Sequence, residues 1–403
     1  MRPNYSKHLF NSLIVGCLFF AAAVSINSDS LNSLALYVAI PLAFILSFLK
    51  CGKLVLNRYQ GVLLAIYVWD LISALWAQYP ASASRELHRV LGAVLLTFIM
   101  AANGGNNKLT KYLYITYLIL YLGCWYYSVN HSLIILDQYN DSDRLNDEKL
   151  NANTMAYYTF YVSLCLYLLA NMVSSRFWNK ILRIAFLGII PLSLFVALTT
   201  SSRQVLIIQI PLITLLLFER YFKNARRKIK ILFVITTAVV CVILLPMAID
   251  MYDNSYLAVR ATRNLQDDSR WHLLNDAIKV GSDHFPFGVG AGNYINYSFN
   301  RHFSHCSFTE LFANNGIIGL LLYCYLLYYY IKCQRRYYRQ TKDRTFIIFL
   351  IFGIIFTFDQ IFYVFYTDLW LIAFFVLVAT HSDSHYRHLI SSKSSQPIKN
   401  PTL

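Results

Sequence analysis

Four polar side chains stand out in a chain dominated by long apolar runs, because each lies in or beside the stretches that separate those runs: Arg203, Arg270, His305 and Glu310. His305 opens "HCSFTELFANNGIIG" at residues 305–319, and a neutral imidazole can take a proton from a sugar hydroxyl near neutral pH. A lone histidine is more often structural, so its chemistry depends on what accompanies it. Glu310 comes five positions later, and five helical residues turn the chain roughly 140° beyond a full turn, so the carboxylate need not share the histidine's face. Arg203, in "TTSSRQVLI", and Arg270, in "SRWHLLNDAIK", can each fork a planar guanidinium onto phosphate oxygens. The plain alternatives are an arginine snorkelling to lipid headgroups at 203 and, at 270, an ion pair with the adjacent Asp267 or Asp268.

Other candidates are less pointed. Arg85 and Arg89, at i,i+4 spacing around Glu86 and His88, can add to an anion pocket or merely form a self-paired helix start. "LNANTMA" at 150–156 offers Asn151 and Asn153 for a helix cap or for hydrogen bonds to sugar. "HFPFGVGAGNY" at 284–294 has glycines at 288, 290 and 292, but no strand precedes it and the βαβ frame of a dinucleotide loop is missing. Those glycines fit a tight backbone path back toward the membrane. "DSD" at 141–143 reads as part of a solvated acidic loop, and the eight cysteines show neither a disulfide framework nor a zinc pattern. No metal site and no cofactor are expected.

The elements that must hold these residues follow from composition. The chain is 57% hydrophobic and only 14% charged, with a mean hydropathy of +0.46, which excludes an ordinary soluble domain. Its net charge of +15 sits in short clusters between apolar runs rather than in a nucleic-acid-binding stripe. Runs long enough to span a bilayer fall at about 9–26, 31–49, 60–78, 87–102, 110–128, 153–172, 180–199, 204–219, 230–248, 307–331, 345–358 and 365–381. The fold expected is all-α, a single polytopic membrane domain over 1–403 with about twelve spans. The first run reads as a retained helix and not as a cleaved signal, because further spans follow at once.

Lys and Arg concentrate in alternate connections, such as Lys50, Lys53 and Arg58, or Lys332, Arg335, Arg336 and Arg339, which by the positive-inside rule puts these loops and both termini in the cytoplasm. Residues 129–152 and 249–306 then face outward. The second is the large periplasmic loop, with short helices, between the ninth and tenth spans; Trp271, Leu274, Ala277, Ile278 and Lys279 suit an amphipathic helix along the interface. Residues 382–403 read as a disordered cytoplasmic tail.

In order, "SSRQVLI", "SRWHLLNDAIK", "HFPFGVGAGNY" and "HCSFTELFANNGIIGLLLY" resemble the signature segments of the O-antigen ligase and polymerase superfamily of bacterial glycosyltransferases, and "NANTMA" is similar to its Asn-Pro-Asn segment. The resemblance covers mainly residues 150–330. Cys306 stands where the family usually has Asn, Ser or Gln, and Ala152 replaces the middle proline. The resemblance implies a metal-free enzyme of the bacterial inner membrane acting at the periplasmic face on glycan carried by undecaprenyl diphosphate. It implies Arg203 and Arg270 on the diphosphate, His305 activating the acceptor hydroxyl, and inversion at the anomeric carbon. The leading reading is a ligase whose acceptor is a lipid A–core sugar; a polymerase of O-antigen, capsule or exopolysaccharide repeats uses the same donor. A twelve-helix transporter is the more distant alternative, with Asp70 and Asp359 as its few mid-span ionisable residues.

Overall fold

The computed structural model describes residues 3–27, 33–136, 152–200, 210–219, 226–228, 231, 235, 269–298 and 301–394 except 362, 365 and 367, and the regular elements among them are helical. They are α1 (Pro3–Asn27), α2 (Ile40–Cys51), α3 (Arg58–Ser73), α4 (Pro80–Asn103), α5 (Asn107–Leu136), α6 (Ala152–Met172), α7 (Arg176–Thr200), α8 (Ile210–Leu217), α9 (Ser269–Asp283), α10 (Tyr294–Tyr297), α11 (Ser307–Thr341), α12 (Thr345–Asp359) and α13 (Leu369–Ser394). Four described helical stretches are long and apolar enough to cross a membrane: Lys7–Ile26, Arg58–Trp76, Pro80–Asn103 and Ser307–Thr341. Ala35–Cys51, Tyr158–Met172 and Thr345–Asp359 are shorter apolar helices. The expected run at 230–248 apart from residues 231 and 235, the acidic stretch 137–151 and the first part of the long loop, 249–268, lie outside the described residues.

The chain forms two compact units, Met1–Ala21, Asn32–Leu113 and Ser269–Leu403 in one, Ala22–Leu31 and Tyr114–Asp268 in the other. In the second, α6 packs along α7 and both touch α8. Asn179 Nδ2 donates to Ala170 O at 2.7 Å across the α6–α7 turn, and Tyr121 packs on Tyr158 with ring centroids 4.7 Å apart.

The first unit carries Arg270, His305 and Glu310, and its helix boundaries follow from local chemistry. Pro41 has no N–H to continue a preceding helix, so a π turn at Ala35–Ala39 gives way to α2, which ends on left-handed Gly52. A capping box starts α3: Gln60 N–H donates to Asn57 Oδ1 at 2.9 Å, and Asn57 N–H to Gln60 Oε1 at 3.0 Å. The same Gln60 donates Nε2–H to Thr97 O at 3.0 Å, tying α3 to α4. Pro80 starts α4 at the position where a missing N–H costs least. That start lies well before residue 87, where the apolar run begins, and it brings Arg85 and Arg89 inside the helix.

The tenth expected run is not one continuous helix. Gly316 sits at φ 66° and ψ −161° inside α11 and divides it into a short segment, 307–315, and a long one, 317–341. A Cβ there would meet Pro286 O at 1.9 Å, so only glycine fits. At the other end, α13 runs through Ser394, well into the stretch expected as a tail. Polar residues on its second half find partners on α11: Ser382 Oγ donates to Gln334 Oε1 at 2.6 Å and Tyr337 OH to Asp383 Oδ1 at 2.9 Å. In the α11–α12 connection His385 Nε2 lies 2.9 Å from Asp343 Oδ2. Burial alone would raise the Asp343 carboxyl, but the Thr345 N–H at 2.9 Å and His385 outweigh it and hold the group below the usual carboxylate range.

Two outcomes follow from these contacts. Gly316→Ala should destabilise the protein by roughly 3 kcal/mol or more, seen as a lower thermal midpoint in detergent, while Gly61→Ala, where a Cβ meets nothing within 4 Å, should leave it unchanged or slightly higher. Asp343 has a depressed carboxyl, so its stabilisation is present above the unfolded-state pKa and disappears as pH falls through the folded one. Asp343→Asn should therefore cost up to about 1 kcal/mol at neutral pH, and the difference from wild type should begin to shrink only as pH falls below about 4, disappearing once the folded carboxyl is protonated.

Candidate active site

The break in α11 creates the site's framework. Interrupting a helix strands the carbonyls of its last turn, and buried carbonyls must find donors. Here the loop 284–293 supplies them. Val289 N–H donates to Ala313 O at 2.9 Å, Gly290 N–H to Asn314 O at 2.8 Å, and on the far side Ile317 N–H donates to Pro286 O at 3.0 Å. Trp69 Nε1–H, from α3, takes the Asn315 carbonyl at 2.8 Å. Gly288 has φ 74°, and a Cβ on it would meet the Asn314 and Ala313 carbonyls at 2.6 and 2.7 Å, which is why the loop can lie flat against the helix end. The glycines thus do serve a tight backbone path.

Side chains extend the docking. Asn314 Oδ1 accepts Tyr294 N–H at 2.7 Å, and its Nδ2–H reaches Tyr366 OH at 3.3 Å. Asn293 Oδ1 accepts Tyr79 N–H at 2.8 Å, Ser73 Oγ accepts Ala291 N–H at 3.0 Å, and Asn296 Nδ2–H donates to Ser82 Oγ at 2.9 Å. The Tyr294 hydroxyl donates to Leu273 O at 3.0 Å; burial, then the nearby Glu310 and Asp276 carboxylates, push its pKa up and keep it a donor. Asn315 Nδ2–H donates to Asp70 Oδ1, so the mid-span acid of α3 is bound to the helix break. Trp69, Trp76 and Phe287 pack together beside the docked loop with ring centroids 5.9–6.3 Å apart.

Helix α9 is amphipathic as expected, with a different face inward: Leu273, Ala277 and Val280 are buried, while Trp271 and Ile278 are exposed. The buried face packs on the start of α11, where Ala313 joins the same apolar cluster.

His305 lies in the turn entering α11. It is half-buried, its ring centroid is 4.4 Å from that of Phe303, and its backbone is left-handed at φ 58°. For a side-chain-bearing residue this conformation costs roughly 1–2 kcal/mol. The surrounding groups hold it. Ser304 N–H donates to Glu310 Oε2 at 2.6 Å. Ser304 Oγ accepts Cys306 N–H at 3.2 Å and donates to Cys306 O at 2.9 Å, and Thr309 Oγ1–H donates to Ser304 Oγ at 3.1 Å. One residue further, Ser307 N–H donates to Gln360 O at 2.8 Å and Ser307 Oγ–H to Gln360 Oε1 at 2.5 Å, which moors the helix start to the end of α12. Cys306 is the N-cap and caps nothing with its own side chain.

His305 and Glu310 are therefore brought into one turn, with the carboxylate reaching back to the residue before the histidine. Arg270 is in the first turn of α9. Arg85 and Arg89 are exposed on α4, on either side of buried Glu86, and Arg89 is within electrostatic reach of Glu86 and Asp368. Asn153 is in the first turn of α6. Arg203 and Asn151 lie outside the described residues. The groups that sequence reasoning passed over are Ser304, Thr309, Asn293 and Asn314. A signal existed for the last: two adjacent asparagines in "ELFANNGIIG" are costly in an apolar run unless both are paired. Among the described residues no cluster of His, Cys, Asp or Glu has the make-up of a metal site.

Residues 187–324 match a family model described as O-antigen ligase. That segment contains positions 203, 270, 305 and 310, whereas 85, 89 and 153 fall before it. No curated protein matches the chain.

Proposed function

We propose, from the match of residues 187–324 to the O-antigen ligase family model, that the chain is a ligase of the bacterial inner membrane, transferring glycan from undecaprenyl diphosphate to a sugar hydroxyl of lipid A–core at the periplasmic face. The observation that carries this reading is the seating of His305 inside the matched segment, in a turn held by buried hydrogen bonds at the start of a broken helix. A histidine seated on a backbone turn that is itself held in place suits a general base, whose contribution depends on reach and alignment.

In the proposed reaction the acceptor hydroxyl oxygen attacks the anomeric carbon on the face opposite the diphosphate. The carbon–oxygen bond to the diphosphate breaks with its electron pair going to the leaving oxygen, the hydroxyl proton passes to His305, and the product is inverted. Arg203 and Arg270 neutralise the leaving diphosphate by bidentate hydrogen bonding, and the exposed Arg85 and Arg89 add to the cationic surroundings of the lipid headgroup. Asn153 is assigned to hydrogen bonds with sugar hydroxyls. A diphosphate so neutralised leaves without a general acid, and no metal or cofactor is assigned a step.

The test is transfer by purified protein from a defined diphosphate-linked donor to lipid A–core without added metal. His305→Ala should lower kcat by roughly 10²- to 10⁴-fold and Arg203→Ala or Arg270→Ala by roughly 10²- to 10³-fold, with each variant still inserted and monodisperse. Wild-type rates in these variants overturn the assignment. Extension of carrier-linked repeats in place of transfer to core would identify a polymerase.

A further inference from the structure

The carboxylate of Glu310 is buried, at 7% exposure, and one of its oxygens accepts the backbone N–H of Ser304 at 2.6 Å. Placing an acid in an apolar setting is costly unless its acceptor capacity is used, and a backbone amide N–H uses it. The amide it takes lies immediately before the left-handed His305. The hydroxyl of the same serine, itself 2% exposed, bonds both the N–H and the carbonyl of Cys306, immediately after the histidine. Thr309 then donates to that hydroxyl. Glu310 thereby fastens the 303–304 peptide unit and the Ser304 hydroxyl, supported by Thr309, fastens the 305–306 unit, so the turn is held before Ser304 and directly after His305; Thr309 and Glu310 sit one helical turn along, on a segment that the loop 284–293 locks in place.

We infer that Glu310 is a positioning residue for His305, acting through the Ser304 amide with Thr309 as its second support, and that its task is to hold the imidazole in a left-handed turn aimed at the reacting hydroxyl. This rests on the reading of His305 as the base. What the clasp requires of residue 310 is a hydrogen-bond acceptor at that place, and its negative charge is incidental. A carboxylate that itself took the proton, or that acted on the ring as a charged partner, would require the charge.

Replacement at 310 separates the two. Glu310→Gln keeps an acceptor oxygen for the Ser304 N–H, whereas Glu310→Ala removes it. In the purified transfer assay, Glu310→Gln should retain kcat within about threefold of wild type, and Glu310→Ala should lose roughly 10- to 100-fold in kcat with KM for donor and acceptor unchanged, the penalty of a misplaced catalytic group. Thr309→Val, which removes one hydroxyl of the clasp at nearly constant volume, should lower kcat by a smaller factor with the same unchanged KM. Should Glu310→Ala fail to insert, the ordering wild type, Glu310→Gln, Thr309→Val in kcat carries the test. A folded Glu310→Gln as impaired as His305→Ala overturns the inference, as do Thr309→Val and Glu310→Ala variants with wild-type kcat. Activity surviving in His305→Ala refutes the base assignment instead, whatever residue 310 does.

Discussion

A helix cannot be broken in a buried setting unless other donors and acceptors replace the ladder it loses, and this constraint organises the first unit. Gly316 interrupts α11, and the freed carbonyls of Ala313, Asn314 and Asn315 are answered by Val289 N–H, Gly290 N–H and the Trp69 indole. A buried group left unpaired costs about 1–3 kcal/mol, and more where lipid removes every alternative. Undocking the loop would strand several such groups at once. The loop is consequently held by backbone hydrogen bonding over most of its length, and its side chains are released for other tasks.

Those side chains build a polar layer at the same level as the break. Asn314 joins the Tyr294 amide to the Tyr366 hydroxyl, Asn293 joins the loop to Tyr79 at the head of α4, and Asp70 takes the amide of Asn315. Each of these polar groups is nearly inaccessible and each has a partner on a different element. Layers of this kind fix register, because sliding any one helix by a residue would leave several of them unsatisfied together. The turn at 301–306 is tied to α11 through Glu310, and the helix start that follows it is moored to the end of α12 through Ser307.

Hydropathy made the apolar helices legible, and residue type made His305 and Glu310 legible, because both kinds of information are local. The break at Gly316 was not. "NNGIIG" inside an apolar run reads as a continuous helix with two tolerated glycines, and only the Pro286 carbonyl, thirty positions earlier, explains why one of them must adopt φ 66°. The back-reach of Glu310 was hidden for a related reason: helical periodicity compares side-chain faces, whereas this carboxylate bonds a backbone amide outside the helix. The last helix was expected to stop near 381 because hydropathy falls there, yet Ser382, Asp383 and His385 continue it by pairing with polar residues of α11 and its connection to α12. Polar pairing between helices leaves no trace in a one-dimensional apolar pattern. Arg85 and Arg89 were legible as a pair, but their place inside α4 depended on Pro80 setting the helix start ahead of the apolar run.

The same geometry bears on why a left-handed histidine would be kept at all. A conformational cost of roughly 1–2 kcal/mol is small beside the 7–11 kcal/mol that correct placement of reacting groups can contribute, so under the proposed role of His305 such a turn would be favourable. An extended or right-handed residue 305 would send the ring elsewhere and release Ser304 from Glu310, whose carboxylate would then be buried without its amide. The burial of Glu310 therefore works against every alternative conformation of the turn, and the native one is selected as much by the penalty on its competitors as by its own hydrogen bonds.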